Sequence, residues 1–154
     1  VVIVQPSSPL TLPSDINATV DLLAASGAES AVSVVQLDHA IHPWKMKVLD
    51  GDRLLSYLVD ERGRTAAHEL PPIFVRNCSV YATRRSAIDA GQILSDDCRW
   101  YVMPRERSID INEELDLAFA EQLDPALVWR VLRAEGITPG SLLPPPPGLL
   151  TILA

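Results

Sequence analysis

The order of apolar and polar residues along the chain predicts strands that alternate with helices. Two apolar runs, 1–4 (VVIV) and 30–37 (SAVSVVQL), are typical of strands covered on both faces. Between them, apolar residues recur at helical spacing, with Ser14 as the predicted N-cap and Gly27 as the residue that ends the helix. The first 37 residues are therefore expected to form a strand, a loop, a helix and a second strand.

A hairpin signal interrupts this alternation. Residues 44–59 (WKMKVLDGDRLLSYLV) are expected to form two strands joined by a turn at Asp50 and Gly51. Lys45 and Lys47 alternate along the first of these strands and would share one face. We interpret about 39–70 as an inserted β-hairpin arm that protrudes from the main fold.

Strands and helices alternate again after residue 70. The predicted strands are 73–75, 78–83 and 99–103, and the predicted helices are 84–90 and 113–123. This order predicts an α/β layered fold with a mostly parallel sheet over residues 1–123. Residues 124–154 are expected to be a C-terminal extension, with one short helix followed by a proline-rich tail that favours polyproline II geometry.

Composition and charge narrow the class of partner. The chain of 154 residues is 47% hydrophobic and 21% charged, which is typical of a globular protein. Its net charge of -7 is spread along the sequence, so neither nucleic acid nor an anionic membrane is the expected partner. Cys78 and Cys98 lack metal or redox spacing, and no apolar run reaches the roughly 18 residues of a spanning helix. We expect a cytoplasmic protein.

One acidic residue needs a chemical explanation. Within ERSIDINEELDL (106–117), Asp110 lies between Ile109 and Ile111, where a strand is expected to end and a helix to begin. Burying an unpaired carboxylate is costly, so a nearby group is expected to interact with this charge. The preceding Arg105 and Arg107 would either bind a phosphate group or remain solvated, and the sequence does not decide between these alternatives.

Four motifs together resemble one protein family. In chain order they are QPSSPL (5–10), HPWKMKVLDGDRL (42–54), LPPIFVRNCSVYAT (70–83) and YVMPRERSIDINEELDLAFAE (101–121). Their order and approximate spacing resemble those of the acylneuraminate cytidylyltransferases, which include the CMP-sialic acid synthetases. Each motif by itself is weak, but the series covers roughly residues 1–123.

The resemblance implies a fold, a reaction and a partner. The fold would be a Rossmann-like nucleotidyltransferase of the nucleotide-diphospho-sugar transferase type. The anomeric hydroxyl of a nine-carbon acid sugar would attack the α-phosphate of CTP, and pyrophosphate would leave. Mg²⁺ would offset the phosphate charge. The inserted arm would pack against a second subunit, so a homodimer is also expected.

The resemblance also assigns residues to the site. Asp110 would be the catalytic metal-binding acid, and Gln5, Asn77 and Tyr81 would contact the sugar. Asn112 replaces the second acid of the family's metal-binding pair. It could ligate Mg²⁺ through its side-chain oxygen or could instead cap the following helix.

The chain departs from the family at two further places. Cys78 occupies a position that is glycine in the family, so a positive φ there would be strained by roughly 1 kcal/mol or more. The family's glycine-rich and basic CTP-binding loop has no counterpart, so we expect this chain to be an incomplete part of the enzyme. Two alternatives remain: a non-catalytic sugar-binding or dimerisation remnant of the same fold, or a nucleotidyltransferase for a different sugar.

Overall fold

The computed structural model describes residues 1–58, 66, 70–134 and 136. The strands are β1 (Val2–Val4), β2 (Ser30–Gln36), β3 (Lys47–Asp50), β4 (Arg53–Ser56), β5 (Phe74–Thr83) and β6 (Cys98–Val102). The helices are α1 (Pro13–Ser26), α2 (Arg85–Asp89), α3 (Glu114–Leu123) and α4 (Pro125–Ala134). The α/β class predicted from the sequence is confirmed, and the elements follow the expected order.

The main sheet is mixed rather than mostly parallel. Its strand order is β1-β5-β2-β6, in which β1 and β5 are antiparallel and β2 and β6 are parallel. At one end of the β2–β5 pair Leu37 N donates to Ile73 O, and at the other Arg84 N donates to Glu29 O, so this pair is also antiparallel. For the described strands, the prediction of a mostly parallel sheet was wrong. The reason is that β5 runs along β2 in the opposite direction, and the described part of the segment between them contains a hairpin rather than a crossover helix.

The two strands that were predicted to be buried differ in burial. The first five residues of β2 are buried, as expected. All three residues of β1 are exposed, because β1 lies at one edge of the described sheet and hydrogen-bonds to β5 alone. The edge strand β1 and the central strand β2 are both rich in valine, so the VVIV pattern did not indicate that β1 would lie at an edge.

Helix α1 begins earlier than the sequence indicated. Its N-cap is Leu12, and Pro13 occupies the first turn, where its missing N–H has no partner to lose. Asp15 reaches back from that turn and accepts a hydrogen bond from Leu12 N at 3.0 Å, so Ser14 is not the cap. The predicted end is confirmed, since Gly27 adopts a left-handed φ of 71°.

Helices α3 and α4 share one hydrophobic cluster with the QPSSPL loop. Its buried members are Leu10, Ala120, Val128 and Leu132. Val128 is 0% exposed and Leu132 is 4% exposed, so α4 belongs to the core, whereas the sequence suggested a peripheral extension. The described residues of 1–34 and 76–136 form one compact unit. Among the described residues, no helix is long and apolar enough to cross a membrane.

A second compact unit, Val35–Val75, contains the predicted hairpin. Strands β3 and β4 are antiparallel, and Asp50 pairs with Arg53, so the two turn residues are Gly51 and Asp52. The predicted turn was therefore one residue too early. Gly51 has a φ of 63°, which suits the first position of a two-residue hairpin loop. Lys45 precedes β3 in a short 3-10 turn, so it does not share a strand face with Lys47.

Candidate functional site

The β2–β5 pairing advances eight residues along β2, from Glu29 to Leu37, but eleven along β5, from Ile73 to Arg84, so β5 contains a bulge, which we assign to the start of the motif NCSVY. Cys78 has a φ of 60°, the left-handed conformation that costs a residue with a Cβ roughly 1–2 kcal/mol. It is the one non-glycine residue with a positive φ in the described part of the chain. The sequence had left open whether the backbone at Cys78 has a positive φ, and the structure shows that it does. Such a bulge locally removes backbone pairing and redirects the neighbouring side chains.

Side chains of Ser33 and Asn77 replace the missing backbone pairing at the bulge. Ser33 Oγ accepts a hydrogen bond from Val80 N at 2.9 Å and donates one to Asn77 Oδ1 at 2.6 Å. Asn77 Nδ2 donates to Ser108 Oγ at 2.9 Å. Asn77 is only 4% exposed, and both ends of its amide are engaged within the protein. In this structure Asn77 therefore holds the bulge against the segment that carries Asp110, and a sugar contact would compete with these bonds.

The segment that carries Asp110 is also fastened to helix α1. Arg107 Nε and Nη2 donate to the two carboxylate oxygens of Asp15 at 3.0 and 2.8 Å, and the Tyr101 hydroxyl donates to Asp15 at 3.3 Å. Asp15 is fully buried. Burial acts to raise the pKa of Asp15, but hydrogen bonds from Arg107 and from Leu12 N outweigh it, so the pKa lies below its ordinary value. The sequence left two alternatives for Arg107, a phosphate contact or solvation. The structure supports neither of them, because the guanidinium is paired with Asp15.

The QPSSPL loop joins the bulge to the Asp110 segment. Gln5 N donates to Ser79 O at 3.1 Å, and Ile111 N donates to Ser7 O at 2.7 Å. These two bonds hold the loop between β5 and the turn that precedes α3. The loop that begins at Gln5 is therefore bonded to Ile111, the residue that follows Asp110.

Asn112 orients Asp110 and does not cap helix α3. Asn112 Nδ2 donates to Asp110 Oδ2 and to Asp110 O, both at 3.2 Å. The N-cap residue is Glu113, which forms a capping box with Asp116: the Glu113 side chain accepts from Asp116 N, and Asp116 Oδ2 accepts from Glu113 N at 3.1 Å and from Asn112 N at 3.0 Å. The capping alternative for the Asn112 side chain was therefore wrong, because the helix is capped at Glu113, one residue after Asn112.

The Asp110 carboxylate fits one position in a magnesium site. Its Oδ1 is buried and has no hydrogen-bond partner, so it is available as a ligand. Asn112 does not fit as a second ligand in its observed orientation, because its amide nitrogen faces the carboxylate. No group of three or more His, Cys, Asp and Glu side chains lies together among the described residues. Mg²⁺ commonly keeps several waters and binds one or two carboxylates together with substrate phosphates, so a sparse protein ligand set suits it.

Tyr81 lies within electrostatic reach of Asp110. Burial raises the pKa of the Tyr81 hydroxyl most, and the neighbouring Cys78 thiol and the Asp110 carboxylate raise it further, while Arg76 opposes them. Tyr81 stands opposite Ile3 in the β1–β5 pairing. The Asp110 charge therefore affects the Tyr81 hydroxyl, but no hydrogen bond joins the two side chains in the described part of the chain.

Sequence reasoning missed the two internal networks of the site. Ser33 and Asp15 were read as ordinary members of a strand and a helix, because each finds its partner far away in the sequence. A signal was present in both cases: Ser33 is a polar residue inside an apolar strand, and Asp15 is an acid inside the first turn of a helix.

The comparison with known protein families adds no assignment. No protein-family model matches the chain. The likeness to the cytidylyltransferases consequently rests on the four motifs, and the contacts described above connect parts of three of them.

Proposed function

We propose that this chain is the acid-sugar part of a nucleotidyltransferase that moves CMP from CTP to a sialic-acid-like nine-carbon acid sugar and releases pyrophosphate. The observation that carries the proposal is the connection among three motif segments. The QPSSPL loop is hydrogen-bonded on one side to the β5 bulge through Ser79 and on the other to Ile111, the neighbour of Asp110. A Rossmann-like nucleotidyltransferase fold with a Mg²⁺ ion is part of this proposal.

Each proposed residue has a distinct role. Asp110 would hold Mg²⁺ through its free Oδ1, and Asn112 would keep the other carboxylate oxygen in place. The metal would stabilise the negative charge of the phosphates as the sugar hydroxyl attacks. Gln5 and Tyr81 would contact the sugar, since an amide and a phenol can both donate and accept hydrogen bonds.

Asn77 acts as a support in this proposal. Its amide joins Ser33 in β2 to Ser108, two residues before Asp110. Loss of that amide would let the bulge and the Asp110 segment separate. The role of Asn77 would then be to position the metal-binding acid. To contact the sugar, the Asn77 amide would have to give up one of its hydrogen bonds to Ser33 or Ser108.

The CTP side of the reaction would need further residues. The sequence has no glycine-rich phosphate-binding loop. In this proposal the triphosphate is bound by residues outside this chain, either in a longer protein or in a second subunit. A homodimer through the hairpin arm at about 39–70 is the corresponding proposal for the partner.

A second candidate function is a non-catalytic sugar-binding or dimerisation module of the same fold. The observation that favours it is the replacement of the second metal-binding acid by Asn112, whose amide now donates to Asp110. A third candidate is transfer of a nucleotide to a different sugar, because a fold does not determine the substrate.

The deciding experiment measures pyrophosphate release from the longest natural protein that contains this chain. Each of the four nucleoside triphosphates is supplied with Mg²⁺ and with either one of several nine-carbon acid sugars or a neutral sugar. Release that requires both CTP and one such acid supports the proposal, and Asp110→Asn should abolish it. Sugar binding without release would favour the non-catalytic module, and release with a neutral sugar alone would favour the third candidate.

A further inference from the structure

Helix α3 carries a row of exposed apolar side chains. Leu115, Phe119 and Leu123 are 45%, 60% and 52% exposed, although all three are large and apolar. They follow one another at intervals of four residues, so they lie one above the other on a single face of the helix. We call these three residues the α3 stripe. Single exposed apolar side chains are normal on a protein surface, whereas a continuous row is typical of an interaction site.

The α3 stripe lies on a different face from the one that packs into the core. Ala120 is buried in the cluster that α3 shares with α4, and Leu117 packs against that cluster. At 3.6 residues per turn, the midpoint of Leu117 and Ala120 is roughly 130° around the helix axis from Phe119. Helix α3 is therefore apolar on two faces, and packing against the core requires only one of them. A second contact would explain the other.

The surroundings of the α3 stripe are acidic. Residues 108–129 contain no lysine, arginine or histidine, and they contain six acids, which are Asp110, Glu113, Glu114, Asp116, Glu121 and Asp124. Glu113 and Asp124 lie directly before and after the helix, and both are exposed. The stripe is thus bordered by negative charge at both of its ends. Such a surface attracts cationic partners and repels anionic ones.

This charge distinguishes among the candidate occupants of the α3 stripe. A second copy of the chain would bring another acidic helix against the first, and like charges across an interface disfavour the contact. Anionic membranes and nucleic acids are disfavoured for the same reason. A helix with one apolar face and lysine or arginine beside it would cover the stripe and also pair with the acids, because residues four apart form the ridge along which two helices pack.

We propose that the α3 stripe is a docking surface for a basic amphipathic helix of a partner protein. Phe119 is the middle residue of the stripe and the most exposed of the three, so it would be the anchor of the contact. Aromatic residues near the centre of an interface commonly carry much of the binding energy. The stripe contains none of the residues assigned to the nucleotidyl transfer, so this docking surface does not depend on the proposed function.

The test uses a synthetic, fluorescently labelled amphipathic helix as the probe. The peptide is about 18 residues long, with leucines on one face and lysines on the other. A second peptide has glutamate in place of every lysine. Fluorescence anisotropy measures the binding of each to the longest natural protein that contains this chain. We expect saturable binding of one lysine peptide per chain, weakened by salt, and at least about tenfold weaker binding of the glutamate peptide.

Two substitutions on α3 separate the apolar contribution from the charge. Phe119→Ser should weaken binding of the lysine peptide at least about tenfold, because it removes the aromatic anchor. Gln122→Lys puts a positive charge at an exposed position next to the stripe and should weaken it as well. The matched control is Ile93→Ser, at a side chain that is 53% exposed in the same compact unit but outside α3, and it should bind as the wild type does.

Circular dichroism checks that each variant folds, and Leu123→Ser takes the place of Phe119→Ser if the latter does not fold. The inference is overturned if the lysine peptide shows no saturable binding, if Phe119→Ser and Ile93→Ser bind it equally well, or if the glutamate peptide binds as tightly. A wild-type dimer that Phe119→Ser converts to a monomer in analytical ultracentrifugation would assign the α3 stripe to a second copy of the chain and would also overturn it.

Discussion

Replacement of Arg107 by methionine tests the ion pair that fastens the Asp110 segment to helix α1. The guanidinium makes two hydrogen bonds to Asp15, whose side chain is 0% exposed. Arg107→Met keeps the apolar stem but leaves the carboxylate buried with the weaker partners Tyr101 and Leu12. The expected result is a large loss of stability.

The magnitude follows from the burial of the acid. Removing one partner of a buried ion pair typically costs about 3–5 kcal/mol, because the remaining charge is uncompensated. That is a substantial part of the roughly 5–15 kcal/mol of a typical domain, so the variant should still fold but with a much lower midpoint of unfolding. Adding Asp15→Asn should recover part of the loss, since the buried charge is then absent.

Urea unfolding at pH 7, followed by tryptophan fluorescence, measures these free energies. The matched control is Arg85→Met, because Arg85 pairs with Asp89 on an exposed helix surface, with the arginine side chain 82% exposed. An exposed pair of this kind contributes about 0–1 kcal/mol. The buried and exposed arginine replacements should therefore differ by at least about 2 kcal/mol.

The pH dependence of the free energy of unfolding shows whether the charged form of Asp15 stabilises the fold. The folded pKa of Asp15 lies below its ordinary value, so the pair stabilises the protein above roughly pH 4 and its contribution is lost as the pH falls through the folded pKa. The difference between wild type and Arg107→Met should shrink as the pH is lowered below about 4. A difference under about 1 kcal/mol at pH 7, or one that does not decrease in acid, would refute the reasoning.

The remaining predictions concern the core and the bulge, and urea unfolding measures each of them. Leu132→Ala should lower the free energy of unfolding by about 2–5 kcal/mol, because α4 is part of the core. Leu123→Ala, at a side chain that is 52% exposed, should lower it by under about 1 kcal/mol, and an equal loss in the two variants would contradict this. Ser33→Ala should cost about 1–3 kcal/mol, since Val80 N and the Asn77 amide lose a buried partner, and a neutral effect would mean that the hydroxyl does not replace the backbone pairing. Cys78→Gly should stabilise the fold by up to about 1 kcal/mol, because relief of the left-handed strain exceeds the entropy cost of glycine, and a loss of stability would show that the thiol contact with Tyr81 matters more.

Local features of the fold could be predicted from the sequence. The end of α1 at Gly27, the buried strand β2 and the hairpin in the second unit all depend on residues close together in the chain. The strain at Cys78 was also predictable, but only through the family resemblance. Each of these depends on a local backbone conformation that one or two residue types favour.

Long-range pairing could not be predicted in the same way. Whether β5 runs parallel or antiparallel to β2 depends on the path of the chain between the two strands, and the residues of β5 do not indicate it. Asp15 and Arg107 are 92 residues apart, and the choice between internal pairing and phosphate binding depends on which partner folding brings near. Asn112 illustrates a closer competition, since Glu113 occupies the N-cap position that was expected for Asn112.

The most direct test of the central claim is phosphorus-31 nuclear magnetic resonance of CTP incubated with Mg²⁺, a nine-carbon acid sugar and the longest natural protein that contains this chain. The account predicts that a phosphodiester resonance and a pyrophosphate resonance grow together as the triphosphate signals disappear, and that Asp110→Asn prevents both. Unchanged triphosphate signals with every acid sugar, or product formed equally well by Asp110→Asn, would contradict the account.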